Sequence, residues 1–257
     1  MKQKFLITKA LAFGWQTIVD HIAFMASVFL TYIGSIVAAY SVIGILLSFW
    51  LLPSINRPLS SSWINSTEYM QAWVTYARTY VGTLSAPQIL LVIVCASALI
   101  AFFYLLELGM IQIALNLYDY NASSLKKLFS CKHLIIRAII AHFLYAFISV
   151  LGLAFFVIPG IYFSLLFKFY EQILVDKNVG VLESFRISAA LTKGSLMLIL
   201  GLSCVLWILQ SVVGLLGGTI GFVVMIPFTL LAQTYAYRKL QTKPRADHPD
   251  TLHHGPY

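Results

Sequence analysis

From Ile22 to Leu52 the chain contains no charged residue, and this run limits the possible folds more than any other feature. A membrane-crossing helix needs about 20 apolar residues, so the run is longer than the hydrocarbon layer is thick. Of the 257 residues, 60% are hydrophobic and 10% are charged, whereas a soluble domain carries about 25% charged residues. The chain therefore cannot be a soluble enzyme, a coiled coil, a disulfide scaffold or a disordered protein. We expect an all-α, polytopic membrane helix bundle.

The apolar runs predict six transmembrane helices in a single membrane domain, residues 1–241. The fourth run is ambiguous because it is short and contains two charged residues. Lys and Arg concentrate in cytoplasmic connections, and this rule decides the number. Six spans place nearly all of the 17 Lys and Arg residues inside, with both termini cytoplasmic, whereas a fourth run that does not cross leaves most of them outside. The six spans are about Ile22–Leu52, Gln88–Leu117, Ile135–Ile158, Pro159–Val175, Ser195–Val213 and Ile220–Tyr237.

Two amphipathic helices are expected in the headgroup layer. Residues 2–19 carry three lysines and an apolar stripe, which is typical of a basic interfacial helix. Residues 181–192 predict a cytoplasmic interfacial helix whose apolar face contains Leu182 and Phe185 and whose polar face contains Ser184 and Ser188. Residues 53–87 form the outer loop. Residues 242–257 are polar and without apolar periodicity, so a disordered cytoplasmic tail is expected.

Proline and glycine residues predict turns at two places between the spans. Pro159 and Gly160 are turn formers and predict a tight outer hairpin between the third and fourth spans. The glycines around position 218 predict a turn between the last two spans. Whether those glycines also let the two helices pack closely is left open by the pattern.

One stretch, from Ile158 to Gly194, carries a resemblance to a known family. It resembles the core of the YciC-like uncharacterised bacterial inner-membrane proteins, which are related to the membrane domain attached to some glycerophosphoryl diester phosphodiesterases. The resemblance implies a multi-pass protein of the bacterial plasma membrane. It implies no catalytic residue, because the phosphodiesterase chemistry of the larger relatives resides in a separate soluble domain. The matching positions are Pro159, Gly160, Asp176, Gly180, Ser184 and Ser188.

Four ionisable residues within the spans form the candidate site: Glu107, His142, Lys168 and Glu171. Charged groups in a bilayer are costly and commonly functional. Counted from the inner helix ends, Glu107 and Lys168 lie roughly 13 Å deep and could form an ion pair, while His142 and Glu171 lie about 8 Å deep. Two interpretations are open. The cluster lines a proton-coupled or amphiphile-conducting path, or it is an internal clamp in which Lys168 extends towards water.

The functional hypotheses follow from the bilayer and from these charges. No phosphate-binding loop, metal-binding pair or nucleophile motif occurs, so we expect no cofactor, no metal and no enzymatic activity. The basic residues are expected to set the topology and to contact anionic headgroups at the cytoplasmic face, with no nucleic-acid partner. The leading hypothesis is handling or transport of lipid or another amphiphile. The alternatives are an assembly factor, binding a second copy or another membrane protein, and an intramembrane enzyme.

Overall fold

The structure, a computed structural model, describes residues 6–51 and 85–241. These residues are helical and contain no strand, so the all-α prediction is confirmed for them. Most of the predicted outer loop and the whole predicted tail, residues 242–257, lie outside the described residues. The helices are α1 (Ile7–Asp20), α2 (Ile22–Leu51), α3 (Ala86–Tyr120), α4 (Ile135–Phe155), α5 (Val157–Leu166), α6 (Tyr170–Lys177), α7 (Val181–Thr192) and α8 (Leu196–Gln241), with two 3₁₀ helices, Leu125–Phe129 and Lys132–Leu134, between α3 and α4.

Four described segments are long and apolar enough to cross a membrane. In the most apolar window of each, only 11% to 17% of the residues are buried inside the protein. Apolar side chains that no protein covers require lipid, so the chain is a membrane protein. The segments correspond to the first, second, third and fifth predicted spans. They are Ile22–Leu47, Ala86–Tyr120, Leu125–Phe155 and Leu196–Gly218.

The chain divides into two compact units. The second unit, Thr31–Phe103, includes the last part of α2 and the first part of α3, and it exposes apolar side chains such as Val37 and Ile93. The first unit comprises Met1–Leu30 and Tyr104–Tyr257. It contains the main hydrophobic core, to which the later part of α3, α6 and both parts of α8 contribute fully buried side chains. All candidate site residues belong to this first unit.

The hairpin between α4 and α5 differs from the predicted one in its turn residue. The chain reverses at Phe156, whose backbone is extended, while Pro159 and Gly160 lie inside α5. Proline is tolerated in the first turn of a helix because the backbone N–H there needs no helical partner. Gly160 instead permits close packing, since a Cβ at this position would lie 2.6 Å from the backbone nitrogen of Leu153.

The predicted fourth span is two short helices. α5 ends at Leu166 and α6 begins at Tyr170, with a break over residues 167–169. The prediction of one continuous helix over Pro159–Val175 was therefore wrong. Asn178, with a left-handed backbone at φ 50°, ends α6.

The long helix α8 contains a turn at Gly218, where φ is 57° and ψ is −144°. A side chain disfavours this conformation, whereas glycine adopts it freely. Gly221 has the second role that the sequence left open, because a Cβ there would lie 2.2 Å from the Val213 carbonyl oxygen. The glycines thus both turn the chain and let the two parts of α8 pack closely.

The N-terminal helix packs on the bundle through small residues. Ala10, Gly14 and Thr17 are its buried residues, and a Cβ on Gly14 would lie 3.3 Å from the Phe228 ring. Trp15 is exposed, as expected of an interfacial helix. The helix begins at Ile7, and residues 2–5 of the predicted 2–19 helix lie outside the described residues.

The basic connection between α3 and α4 folds back along α3. The Leu128 backbone lies against Gly109, where an added Cβ would be 1.9 Å from the Leu128 carbonyl oxygen, and Cys131 Sγ donates to the Leu108 carbonyl at 3.8 Å. Gly109 precedes the end of α3 by three helical turns. The exposed lysines therefore belong to a segment that packs against α3 at Gly109, two residues after Glu107 in the sequence.

Candidate functional site

Tyr170 and Glu171, directly after the break in the fourth predicted span, form a hydrogen-bonded cluster with His142 on α4. The Tyr170 hydroxyl donates to Glu171 Oε1 at 2.5 Å, and its oxygen lies 3.0 Å from His142 Nδ1. His142 Nδ1 is also 3.6 Å from Glu171 Oε1. The structure therefore brings together two of the four predicted site residues, and Tyr170 connects them.

His142 occupies the flank of α4 between a buried face and an exposed apolar face. Ala138 and Ala141 are buried on one side, and Phe143 and Phe147 are exposed on the other. The His142 side chain is 45% exposed, against 21% for Glu171, and Tyr170 is buried. The cluster is consequently open at its histidine end and covered at its tyrosine.

Glu107 and Lys168 make no side-chain hydrogen bond to His142, Tyr170 or Glu171 in the part of the protein that the structure describes. Glu107 interacts electrostatically with Glu171 and His142, and Lys168 interacts electrostatically with Glu171. The ion pair considered between Glu107 and Lys168 is not formed between these two described residues. Because the break in the helix moves Lys168 off the regular spiral, equal counts from the inner ends do not place the two charges together.

Aromatic rings cover the buried side of the cluster. The Tyr170 ring stacks between Tyr145 and Phe185, with centroid distances of 5.2 Å and 5.1 Å. The Tyr104 ring meets the His142 ring edge to face at 5.3 Å. These contacts fix the tyrosine ring so that its hydroxyl stays between the imidazole and the carboxylate.

The backbone groups released by the helix break find partners on α7. Ser188 Oγ accepts from the Phe169 N–H at 3.3 Å and donates to the Leu166 carbonyl at 3.1 Å, while Thr192 Oγ1 donates to the same carbonyl at 2.8 Å. A buried backbone group without a partner is costly, especially at membrane depth. α7 thus supports the break immediately before Tyr170.

The bounds of α7 agree with residues 181–192, but its buried side combines residues from both predicted faces, Phe185 from the apolar one and two serines from the polar one. Ser184 and Ser188 are fully buried, and Leu182 is 75% exposed. Ser184 donates to the Val181 carbonyl of its own helix at 2.6 Å. Ser188 and Thr192, four positions apart, face inwards because the broken helix offers them hydrogen-bond partners.

A second polar group, the Asp176 clamp, joins the ends of three helices. It consists of Asp119 on α3, Asp176 on α6, and Tyr237, Arg238 and Gln241 on α8. Arg238 donates to both Asp176 oxygens, each at 2.8 Å, and to Asp119 Oδ2 at 2.5 Å. Tyr237 donates to Asp176 Oδ2 at 2.7 Å, and Gln241 donates to the same oxygen at 3.2 Å.

The clamp has a defined charge state. Burial on its own would raise the pKa of Asp176, but the hydrogen bonds from Arg238, Tyr237 and Gln241 outweigh it and hold the pKa below its usual value. Burial likewise disfavours the charge of Arg238, and the hydrogen bonds from its guanidinium to Asp176 and Asp119 raise its pKa nevertheless. The acid is therefore ionised and the base protonated at neutral pH.

The positions that carry the family resemblance have structural roles in this fold. Asp176 anchors the clamp, Ser188 supports the helix break, and Gly160 allows close packing in the α4–α5 hairpin. Gly180 caps the start of α7, where its backbone is extended.

Sequence reasoning missed Tyr170 and the partners of Asp176. A tyrosine next to a charged residue within a span is a signal that could have identified Tyr170. Asp119 and Arg238 lie at inner ends of predicted spans, so a search for opposite charges at the same membrane face could have found the clamp. Among the described residues, no group of three His, Cys, Asp or Glu side chains could hold a metal ion.

Comparisons with known proteins returned no match to a family model, a curated protein or a solved structure. The resemblance to the YciC-like proteins stays a prediction that rests on residues 158–194.

Proposed function

We propose that this chain is a non-enzymatic, multi-pass plasma-membrane protein that handles or transports a lipid or another amphiphile. The observation that carries the proposal is a half-exposed polar cluster beside an apolar helix face. An amphiphile needs a site for its polar group next to a surface for its hydrocarbon chain. His142 and Glu171 supply the first, and the exposed side of α4, which includes Phe143 and Phe147, supplies the second.

The broken helix supports transport over a purely structural role. Interrupted helices in membrane proteins place backbone and polar side chains at binding sites within the bilayer. Here the break comes directly before Tyr170 and Glu171, and α7 satisfies its freed backbone groups. A polar cluster that only stabilised the fold would need no such interruption.

The proposed topology has six spans with both termini cytoplasmic, and contacts between helix ends support it. Arg238 joins the ends of α3 and α6 to the end of α8. His21 Nε2, at the start of α2, is 2.9 Å from the Asn121 carbonyl just after α3. With six spans, all these positions lie on the same side of the membrane. If the fourth segment did not cross, Asp119 and its partner Arg238 would lie on opposite sides. The bacterial plasma membrane follows from the family resemblance.

Lipid analysis of the gently purified full-length protein tests the proposal. We expect native mass spectrometry to detect a specific lipid that is enriched over the bulk membrane. Glu171→Gln should reduce its retention because it removes the charge beside His142. Glu183→Gln on α7 is the matched control, since Glu183 is half-exposed and outside the cluster.

Two outcomes would contradict the proposal. Retained lipids that match the bulk composition and do not respond to Glu171→Gln would exclude a lipid site at the cluster. Stoichiometric retention of another membrane protein without a specific lipid would instead favour the assembly-factor alternative.

A further inference from the structure

The hydrogen bonds around Tyr170 determine where the protons of the cluster reside. A tyrosine hydroxyl has one proton and can both donate and accept. Its proton is directed to Glu171 Oε1 at 2.5 Å. The 3.0 Å contact with His142 must then be donated by the imidazole through Nδ1–H to the tyrosine oxygen. In a neutral imidazole this leaves Nε2 without a proton and able to accept one.

The same three groups are also hydrogen-bonded in a second arrangement, which carries one more proton, on His142 Nε2, and has the two bridging protons each shifted by one position. In that second arrangement Glu171 is protonated and donates to the Tyr170 oxygen, and Tyr170 donates to His142 Nδ1. Both arrangements use the same two heavy-atom contacts, so the change requires no movement of the side chains.

We propose that His142, Tyr170 and Glu171 form a proton relay that carries a proton from the exposed face of α4 to the covered Glu171 carboxylate. A proton that reaches this exposed end binds His142 Nε2. The Nδ1–H bond then breaks as a new O–H bond forms on Tyr170, and the original Tyr170 O–H bond breaks as Glu171 Oε1 is protonated. His142 ends as the neutral Nε2–H tautomer, Tyr170 is again neutral, and the net result is protonation of Glu171.

Burial gives the relay a direction. The histidine end is 45% exposed, the carboxylate 21%, and the tyrosine between them is buried among Tyr145 and Phe185. The histidine end is therefore more accessible from outside the protein than the carboxylate end. In the proposed function, a proton moving through the relay is the ion coupled to amphiphile transport, and this coupling rests on that proposed function.

The other titratable groups around the cluster come from α3, from α4 and from the helix break. Glu107 on α3 and Lys168 at the break both interact electrostatically with Glu171. Tyr104 on α3 and Tyr145 on α4 are the other titratable groups at the cluster, and α7 contributes the uncharged ring of Phe185.

Spectroscopy of the full-length protein in lipid nanodiscs tests the relay without any transport assay. Nitrogen NMR of labelled histidine reports the tautomer of His142, and His142→Gln assigns its signal among the six histidines. Infrared difference spectra between high and low pH report the protonated carboxyl of Glu171, and Glu171→Gln assigns its band. The test variant is Tyr170→Phe, which keeps the stacked ring and removes only the hydroxyl. The matched control is Tyr145→Phe, whose hydroxyl donates to the Ser164 carbonyl at 3.3 Å, outside the relay.

We expect wild type to show the Nδ1–H tautomer at high pH and, on acidification, a Glu171 acid band together with the Nε2–H tautomer. Tyr170→Phe should abolish this linked change, and Tyr145→Phe should retain it. The relay is overturned when Tyr170→Phe behaves as wild type, or when acidification produces a stable imidazolium while Glu171 stays ionised. Failure to retain a specific lipid, with the linked change intact, would contradict the proposed function alone.

Discussion

Asp176 and Arg238 form a mostly buried, bidentate ion pair. Their side chains are only 17% and 15% exposed, and two parallel hydrogen bonds connect them. A planar guanidinium suits this geometry better than an ammonium, because it presents two donors to one carboxylate. The same guanidinium reaches Asp119, so one residue holds three helix ends together.

Asp176→Asn should destabilise the protein by about 1–3 kcal/mol, because a mostly buried guanidinium loses one of its two counter-charges. Thermal unfolding in detergent measures the loss. Glu183→Gln is the matched control: Glu183 and Arg186 form an exposed pair at 4.0 Å, whose contribution is below about 1 kcal/mol. Equal losses in the two variants would show that the clamp contributes no more than a surface ion pair.

The contribution of Asp176 should also depend on pH. Its pKa is lower in the folded protein than its usual value near 3.8, so the folded state binds this proton less readily than the unfolded state. The stabilisation is therefore fully present above the unfolded pKa and is lost as pH falls through the folded pKa. The stability difference between wild type and Asp176→Asn should shrink below about pH 4. A difference that stays constant from neutral pH to about pH 3 would contradict this linkage.

At the level of elements, the helix break and α7 depend on each other through hydrogen bonds. The sequence predicted α7 with correct bounds because Gly180 and Gly194 delimit it, and Gly194 has a positive φ of 86°. It could not predict that Ser188 and Thr192 are buried, since such residues are normally on the polar surface and only the break in the neighbouring segment supplies their partners. The prediction of a continuous fourth span was wrong for the same reason. Periodicity does not reveal where another helix can replace missing backbone hydrogen bonds.

Ser188→Ala should destabilise the protein by about 1–3 kcal/mol, because it leaves the Phe169 N–H without its hydroxyl partner and removes one donor to the Leu166 carbonyl. Ser184→Ala is a close control on the same buried face, since that hydroxyl bonds only within α7. Unfolding midpoints of both variants, compared in one detergent, give the difference. A Ser184→Ala loss as large as that of Ser188→Ala would mean that the break does not depend on α7.

At the level of the whole molecule, the sequence predicted the solvent and the helical class from its apolar runs, and four of its predicted spans correspond to helices long enough to cross a membrane. It also selected Glu107, His142, Lys168 and Glu171 by their cost in a bilayer; the structure brings His142 and Glu171 together, and Glu107 and Lys168 each interact electrostatically with Glu171. Their hydrogen bonds could not be predicted, because Tyr170 acquires its position only from the break and from rings on α4 and α7. The number of crossings depends on the charge argument and on the contacts between helix ends.

Cysteine labelling in the full-length protein decides the number of crossings. In a background with Cys95, Cys131 and Cys204 replaced, a membrane-impermeant thiol reagent should label Ser60→Cys, in the predicted outer loop, on intact cells. It should label Lys127→Cys and Asn178→Cys only after permeabilisation, because the basic connection and the end of α6 lie at the cytoplasmic face in the six-span arrangement. Lys127 and Asn178 are exposed, so the reagent can reach either position. Labelling of Asn178→Cys on intact cells, with Lys127→Cys still protected, would show that α5 and α6 do not cross. The Asp176 clamp could not then join α3 to α8 across the bilayer, and the arrangement of helix ends around Arg238 would be refuted together with the six-span topology.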